Sequence, residues 1–326
     1  GWGKVMNLTD SYTIGDNVSL LQHVPENSID MIYMDPPYCT GRDFYHFSDK
    51  FRSTTEYREQ FIRPIILSCH RVLNSVGNIV IHVEPKISHH IRFVLDDIFG
   101  EKNFRNEIVW VSGGNHTSTQ QLQRNHDVLI VYRKSKNSTY NPEYRPYDED
   151  SVKRAPVCDV TGKQYSTSAL VNRQPHITPR PNLRYEWNGH MEQWYVTKTK
   201  MQSLHDSGQL YYSSSTSIPR IKKYFVDMKG VPVKDVWTDI KQIQGVEKLD
   251  YATQKPILLL NRIVQMFSRP ESLVLDPCAG SGTLGRSAIA TQRHYILFDV
   301  NPEGKRIFEQ SLAVGKSPIP PNPSLF

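Results

Sequence analysis

Asp35-Pro36-Pro37-Tyr38 follows directly on the apolar stretch Ile29 to Met34. A strand that runs into two prolines must stop, because Pro37 has no ladder N–H and each proline restricts the residue before it. Asp35 and Tyr38 are therefore expected at a rigid bend on a strand's carboxyl end, where open α/β sheets bind ligands. A carboxylate can accept a hydrogen from an amino group, and an aromatic face can stack on a flat heterocycle. That combination suits the exocyclic amine of a base.

A second stretch, Leu273-Val-Leu-Asp-Pro-Cys-Ala-Gly-Ser-Gly-Thr283, is again an apolar strand running into a glycine-rich turn and then a helix. Gly280 and Gly282 would let backbone approach a ligand, and the helix start offers unpaired amides. Asp299 follows the strand-like Tyr295 to Phe298. An acidic residue there suits a ribose diol, with a helix cap before Asn301 as the plainer alternative. The turn lacks the third glycine of the dinucleotide fingerprint, which speaks against NAD.

In chain order the sequence also carries Gly15-Asp16-Asn17, Cys39-Thr40-Gly41 after Tyr38, and Asp43-Phe44 with Asp49 and Phe51. Then come Asp97 to Phe104, Glu107 to Trp110, His126-Asp127 before Ile130 to Tyr132, Asp235 to Trp237, and Tyr251 to Pro256. The ordered set resembles the S-adenosylmethionine-dependent amino-methyltransferases of DNA. It is most similar to the permuted class, with the Asp-Pro-Pro-Tyr motif first, in type II and type III restriction–modification systems that act on adenine N6.

The resemblance implies an α/β fold: a Rossmann-like, mostly parallel seven-stranded sheet with covering helices and an inserted target-recognition region. It implies site-specific methylation of adenine N6 on a flipped base in duplex DNA, with S-adenosylmethionine as cofactor. Cytosine N4 is the alternative, followed by an RNA methyltransferase or a non-catalytic DNA-binding protein. Asp35, Pro36, Pro37 and Tyr38 would form the target-base site. Asp276, Pro277, Cys278, Gly280, Ser281, Gly282, Thr283 and Asp299 would hold the cofactor. Asp16, Thr253 and Lys255 join them by resemblance only, and an ordinary surface lysine competes for Lys255. Further partners implied are a second copy of the chain and a restriction or specificity subunit, in a bacterial or phage setting.

Charge is localised. Residues 133–234 hold 17 Lys and Arg against 9 Asp and Glu, leaving 22 against 24 elsewhere, so the formal excess of +6 sits in the middle of the 326 residues. Tyr185, Trp187, Trp194, Tyr195, Tyr211, Tyr212 and Tyr224 interleave with it. A basic, aromatic-rich insert is what a polyanion-binding module needs, although a small structural domain with a solvated basic face shares that composition. Arg184, Lys198, Arg220, Lys222 and Lys223 are the candidate DNA contacts, with Arg42 in a loop, Thr40 to Thr55, that could close over the DNA. The domains expected are 1–140 with the target-base site, 141–235 for recognition, and 236–326 with the cofactor site and a proline-rich tail.

No apolar run nears the roughly 18 residues of a membrane span, so no membrane association and a cytoplasmic setting are expected. Cys39, Cys69, Cys158 and Cys278 are scattered, as free thiols in a reducing compartment would be. His82, His89, His90 and Glu84 are drawn from metal-binding residue types, but nothing in the chemistry requires a metal and none is assigned. Trp110 and His126 read as packing and hydrogen-bonding residues.

Periodicity places strands at Tyr12 to Gly15, Ile29–Met34, Asn78 to Val83, Glu107–Val111 and Val128–Tyr132. Helices are predicted over Thr55 to Asn74, Ile87 to Phe99 and Lys255 to Phe267, with another starting at Val18. Three positions depart from the family pattern. Cys39 stands for asparagine, Ala252 for proline, and Cys278 for a phenylalanine beside the adenosyl group. Pro277-Cys278 superficially resembles the nucleophile of C5-cytosine enzymes, a role rejected because it lies within the cofactor motif.

Overall fold

The computed structural model describes residues 8–37, 43–44, 47–48, 53–113, 120–158, 160–243, 249, 251 and 254–313. The chain divides into two compact units, one of residues 1–143 with 233–326, the other of residues 144–232.

The first unit is built on an eight-stranded sheet. Its elements in chain order are β1 (Ser11–Ile14), α1 (Asn17–Leu21), β2 (Ile29–Met34), α2 (Arg63–Val72), β3 (Leu73–Val83), α3 (Pro85–Phe99), β4 (Phe104–Val111) and β5 (His126–Arg133). After the insertion come β6 (Val236–Trp237), α4 (Ile257–Phe267), β7 (Leu273–Asp276), α5 (Thr283–Ala290), β8 (His294–Asp299) and α6 (Pro302–Ala313). The spatial order is β1-β8-β7-β2-β3-β5-β4-β6. Only β5 runs antiparallel to its neighbours. The expected seven strands are present with an eighth, the two-residue edge strand β6, paired to β4.

Both faces of the sheet are buried. Ile32, Met34, Ile79 and Ile81 enter one core cluster with α2 and α3. Met31, Tyr33 and Val80 enter the other, with α4. This is why the central strands are apolar without alternation. Two helical expectations need correction. Helix α2 ends at Val72 rather than Asn74, because Leu73 already pairs with Ile29 and β3 starts there. The turn ahead of α2, Tyr57–Ile62, is π-helical; Pro64 has no N–H to offer the preceding turn.

The insertion leaves and re-enters the first unit at one anchored point. Val233 N–H donates to the Glu143 carbonyl at 2.9 Å, and Glu143 pairs with Arg262 at 3.1 Å. Arg262 is 3% exposed and also forks onto Asp239 at 3.0 and 2.6 Å.

The second unit is small. Pro219–Tyr224 lies between Leu210–Tyr212 and Tyr165–Ala169 in a three-stranded sheet, beside the hairpin Arg184–Trp187 with His190–Gln193 and the helix Lys198–Asp206. Its core is Leu170, Val171, Trp194, Met201, Leu204 and Leu210. Trp194 is fully buried and its indole N–H donates to the Tyr185 carbonyl at 2.8 Å. Of the seven interleaved aromatics only Tyr195 and Tyr211 are exposed; Trp194, Tyr185 and Trp187 pack in or against the core.

Candidate active site

The carboxyl ends of β2, β7 and β8 converge because these strands are neighbours and parallel. That topology brings the Asp-Pro-Pro bend to the glycine turn from opposite ends of the chain. Asp35, Pro36 and Pro37 line one wall of a cavity of about 310 Å³. Asp276 to Ser281, Thr283 and Asp299 line the other. Asp16 and Lys255 also face it. Tyr38, Arg42 and Thr253 lie outside the described residues, as do Cys39 and Ala252.

The glycine turn is shaped by backbone that other residues resist. Gly280 has φ +51° and Gly282 has φ +74°, both left-handed. Neighbours brace the turn. The Tyr12 hydroxyl donates to the Gly280 carbonyl at 2.6 Å, and Tyr251 stands 3.2 Å from where a Gly280 side chain would begin. Gly304 on α6 packs against the same carbonyl so closely that a Cβ there would overlap it. Gly282 does not line the cavity but packs against Phe308.

Asp299 ties the glycine turn to the residue ahead of α6, Asn301, whose own side chain caps that helix by accepting the Glu303 N–H at 2.9 Å. Asp299 Oδ2 accepts the Gly280 N–H at 2.8 Å and its Oδ1 the Asn301 N–H at 2.9 Å. Burial raises its carboxyl above the ordinary range, against hydrogen bonds from the backbones of Asn301, Gly280 and Val300. Asp276 is 3% exposed and accepts the Cys278 N–H at 2.9 Å. Burial pushes it well up, with Asp35 and Asp299 adding repulsion. Asp16 caps α1 by accepting the Ser19 N–H at 2.9 Å while remaining at the cavity mouth.

Lys255 is the cation among these carboxylates. Its Nζ lies 2.7 Å from Asp35 Oδ2, with both side chains largely covered. The lysine precedes α4 instead of sitting on its exposed face. Cys278 Sγ accepts from Asn17 Nδ2 at 3.6 Å. Burial and the nearby Asp276 and Asp299 push its thiol far up, the opposite of what an attacking thiolate needs.

Sequence reasoning missed Tyr12, Tyr33, Gly304 and Phe308. The adjacency of β1 to β8 and of α6 to the turn gives Tyr12, Gly304 and Phe308 their role, and Tyr33 lines the cavity from β2. In the second unit, Arg184, Lys198 and Lys223 are exposed. Arg220 is turned onto Thr167, at 2.8 Å from its Oγ1 and 3.2 Å from its carbonyl. Lys222 Nζ donates to the Gly208 carbonyl at 2.9 Å. No cluster of metal-ligating residues occurs among the described residues, and no helix among them is long and apolar enough to cross a membrane.

Residues 29–310 match the N6/N4 methyltransferase family, described as DNA methylase. The type II methyltransferase M.EcaI of Enterobacter cloacae is 28% identical over 96% of this chain and 71% of its own length. The DNA adenine methyltransferase YhdJ of Escherichia coli K12 is 25% identical, over 89% and 78%. Among solved structures, a putative DNA modification methylase of Thermus thermophilus, complexed with S-adenosyl-L-methionine, superposes with a TM-score of 0.50. It is 16% identical and covers 93% of this chain and 94% of its own. That likeness establishes the shared fold.

Proposed function

This chain belongs to the N6/N4 DNA methylase family, and we propose that within it the chain transfers methyl groups to N6 of adenine in duplex DNA. The observation that carries the reading is the placement of Asp35. It stands at the rigid end of β2, in one cavity with the glycine turn, its Oδ2 held by Lys255. N4-cytosine enzymes more often place serine or threonine at that position, and a relative over most of this chain is named a DNA adenine methyltransferase.

The cofactor is S-adenosylmethionine, and the residues present fit it. Gly280 lines the cavity without a side chain, and Asp16, Asp276 and Asp299 line it with carboxyl groups suited to a cationic ligand. When bound, the cofactor supplies a methyl on positive sulfur: the N6 lone pair forms the N–C bond as the old C–S pair stays with sulfur. The remaining work belongs to the chain. The lone pair of an aromatic amine is delocalised into the ring, so the nucleophile is poor. Asp35 accepts one N6 hydrogen and the Pro36 carbonyl the other, favouring a tetrahedral nitrogen and stabilising its developing charge. Asp35 need not be strongly basic, since the methylated amine becomes acidic and sheds its proton after transfer. Tyr38 stacks on the extruded base.

Residues 144–232 are proposed to read the DNA. They carry 13 Lys and Arg against 8 Asp and Glu, and Arg184, Lys198 and Lys223 reach solvent. A homodimer, or a complex with a restriction or specificity subunit, is supported by resemblance to restriction–modification enzymes; light scattering with and without a short duplex reads it. Labelled-methyl transfer to duplex DNA, single strands, RNA and mixed protein tests the substrate class. Transfer to RNA or protein in preference to duplex DNA would refute the assignment.

A further inference from the structure

Behind the target site a buried polar row crosses three adjacent strands. The Tyr33 hydroxyl on β2 lies 2.8 Å from His82 Nδ1 on β3. His82 Nε2 lies 3.1 Å from Asp127 Oδ2 on β5. The three residues are 3%, 0% and 8% exposed. Arg124 closes the far end, donating to Asp127 Oδ1 at 3.2 Å and pairing with Glu84 at 3.1 Å. Trp110 meets the His82 ring edge-on, centroids 5.7 Å apart, with its own N–H donated to the Ile240 carbonyl.

The direction of the hydrogens follows from Asp127. Burial opposes its charge, but the His82 bond, Lys255 and Arg124 hold its carboxyl below the ordinary range. A carboxylate only accepts, so His82 Nε2 carries the ring proton. With that proton on Nε2, Nδ1 serves as the acceptor and the Tyr33 O–H donates to it. What Tyr33 has left to offer is lone pairs. Tyr33 also lines the cavity with Asp35, from β2, next to the strand that ends in Asp276.

Resting on the methyl-transfer reading above, we propose that Asp127 and His82 are positioning residues for Tyr33. They turn its proton away from the cavity, so that its oxygen presents lone pairs alone to the positive charge developing at the target amine. An acceptor fixed before reaction stabilises that charge with no reorganisation. A tyrosine free to rotate would also present its hydrogen and lose that effect.

Tyr33→Phe, Asp127→Asn and the double variant test the proposal through kcat, KM, S-adenosylmethionine affinity by calorimetry, and fluorescence of 2-aminopurine at the target base. Tyr33→Phe is expected to lower kcat by about ten- to a hundredfold, with cofactor affinity and base extrusion within about twofold of wild type. Asp127→Asn is expected to lower kcat likewise, and the double variant to fall no further than Tyr33→Phe. Full kcat in Tyr33→Phe, losses that multiply in the double variant, or a parallel collapse of cofactor binding would each overturn it. Wild-type protein that leaves DNA unmethylated would instead sink the functional reading, and this inference with it.

Discussion

Lys255 Nζ sits 2.7 Å from Asp35 Oδ2, joining the segment ahead of α4 to the Asp-Pro-Pro bend through two largely covered charges. The ion pair aims a carboxylate whose chain neighbours, Pro36 and Pro37, already fix its backbone. Removing one partner of a covered pair leaves the other uncompensated. Lys255→Met should therefore lower kcat by about tenfold or more through misorientation of Asp35. Single-turnover methylation measures this directly. Unchanged turnover in a folded variant would show that the lysine does not orient the carboxylate.

Gly304 underlies the cofactor turn. A Cβ at this position would overlap the Gly280 carbonyl and crowd the Tyr12 hydroxyl. Gly304→Ala should shift the turn and weaken S-adenosylmethionine binding, with overpacking costing about 1–3 kcal/mol. Calorimetric titration of the cofactor, alongside thermal unfolding, separates a local shift from global loss. Wild-type affinity would mean that the turn does not depend on this packing.

Acid should weaken cofactor binding. Asp276 and Asp299 are raised by burial, so they keep protons at a pH where free carboxyls have lost them. A positively charged ligand favours the ionised forms and expels those protons. Affinity should therefore rise with pH, from about 4, the ordinary carboxylate value, upward through the raised ones. S-adenosylhomocysteine, which lacks the sulfonium charge, should show the flatter profile. Titrations in buffers of different ionisation enthalpy would register the released protons; equal profiles for both ligands would contradict the linkage.

Lys222 and Lys223 are adjacent in sequence but differ in surroundings. Lys222 Nζ bonds the Gly208 carbonyl and stands 3.6 Å from Cys158 Sγ, whereas Lys223 is exposed. Lys223→Ala is expected to weaken DNA binding at every sequence and to reduce the salt slope by about one. Lys222→Ala is expected to lower the unfolding temperature with a smaller change in slope. Salt titrations of binding compare the two, and equal slopes would refute the distinction.

What the sequence made legible follows from local physics. Ile29–Met34 runs into Pro36 and Pro37, and β2 ends at Met34. The start of β3 was hidden because Leu73 to Gly77 look helical or turn-like until Ile29 is there to pair with Leu73. The edge strand Val236–Trp237 is too short to carry a periodic signal and exists through β4. Aromatic spacing could not separate Trp194, which fills a core, from Tyr195, which is 50% exposed one residue later. Asp35 and the glycine turn were visible as motifs. Their supports, Tyr12, Gly304 and the row behind Tyr33, are contacts between distant segments and had no local signature.

Two facts define the reaction: which atom receives the methyl group and which carboxylate prepares it. Duplex DNA incubated with S-adenosylmethionine and either wild-type protein or Asp35→Ala, then digested to nucleosides, answers both. The mechanism predicts N6-methyladenine from the wild type and none above background from Asp35→Ala, with cofactor and DNA binding retained. N4-methylcytosine without N6-methyladenine, or an Asp35→Ala variant keeping most of its kcat, would contradict it.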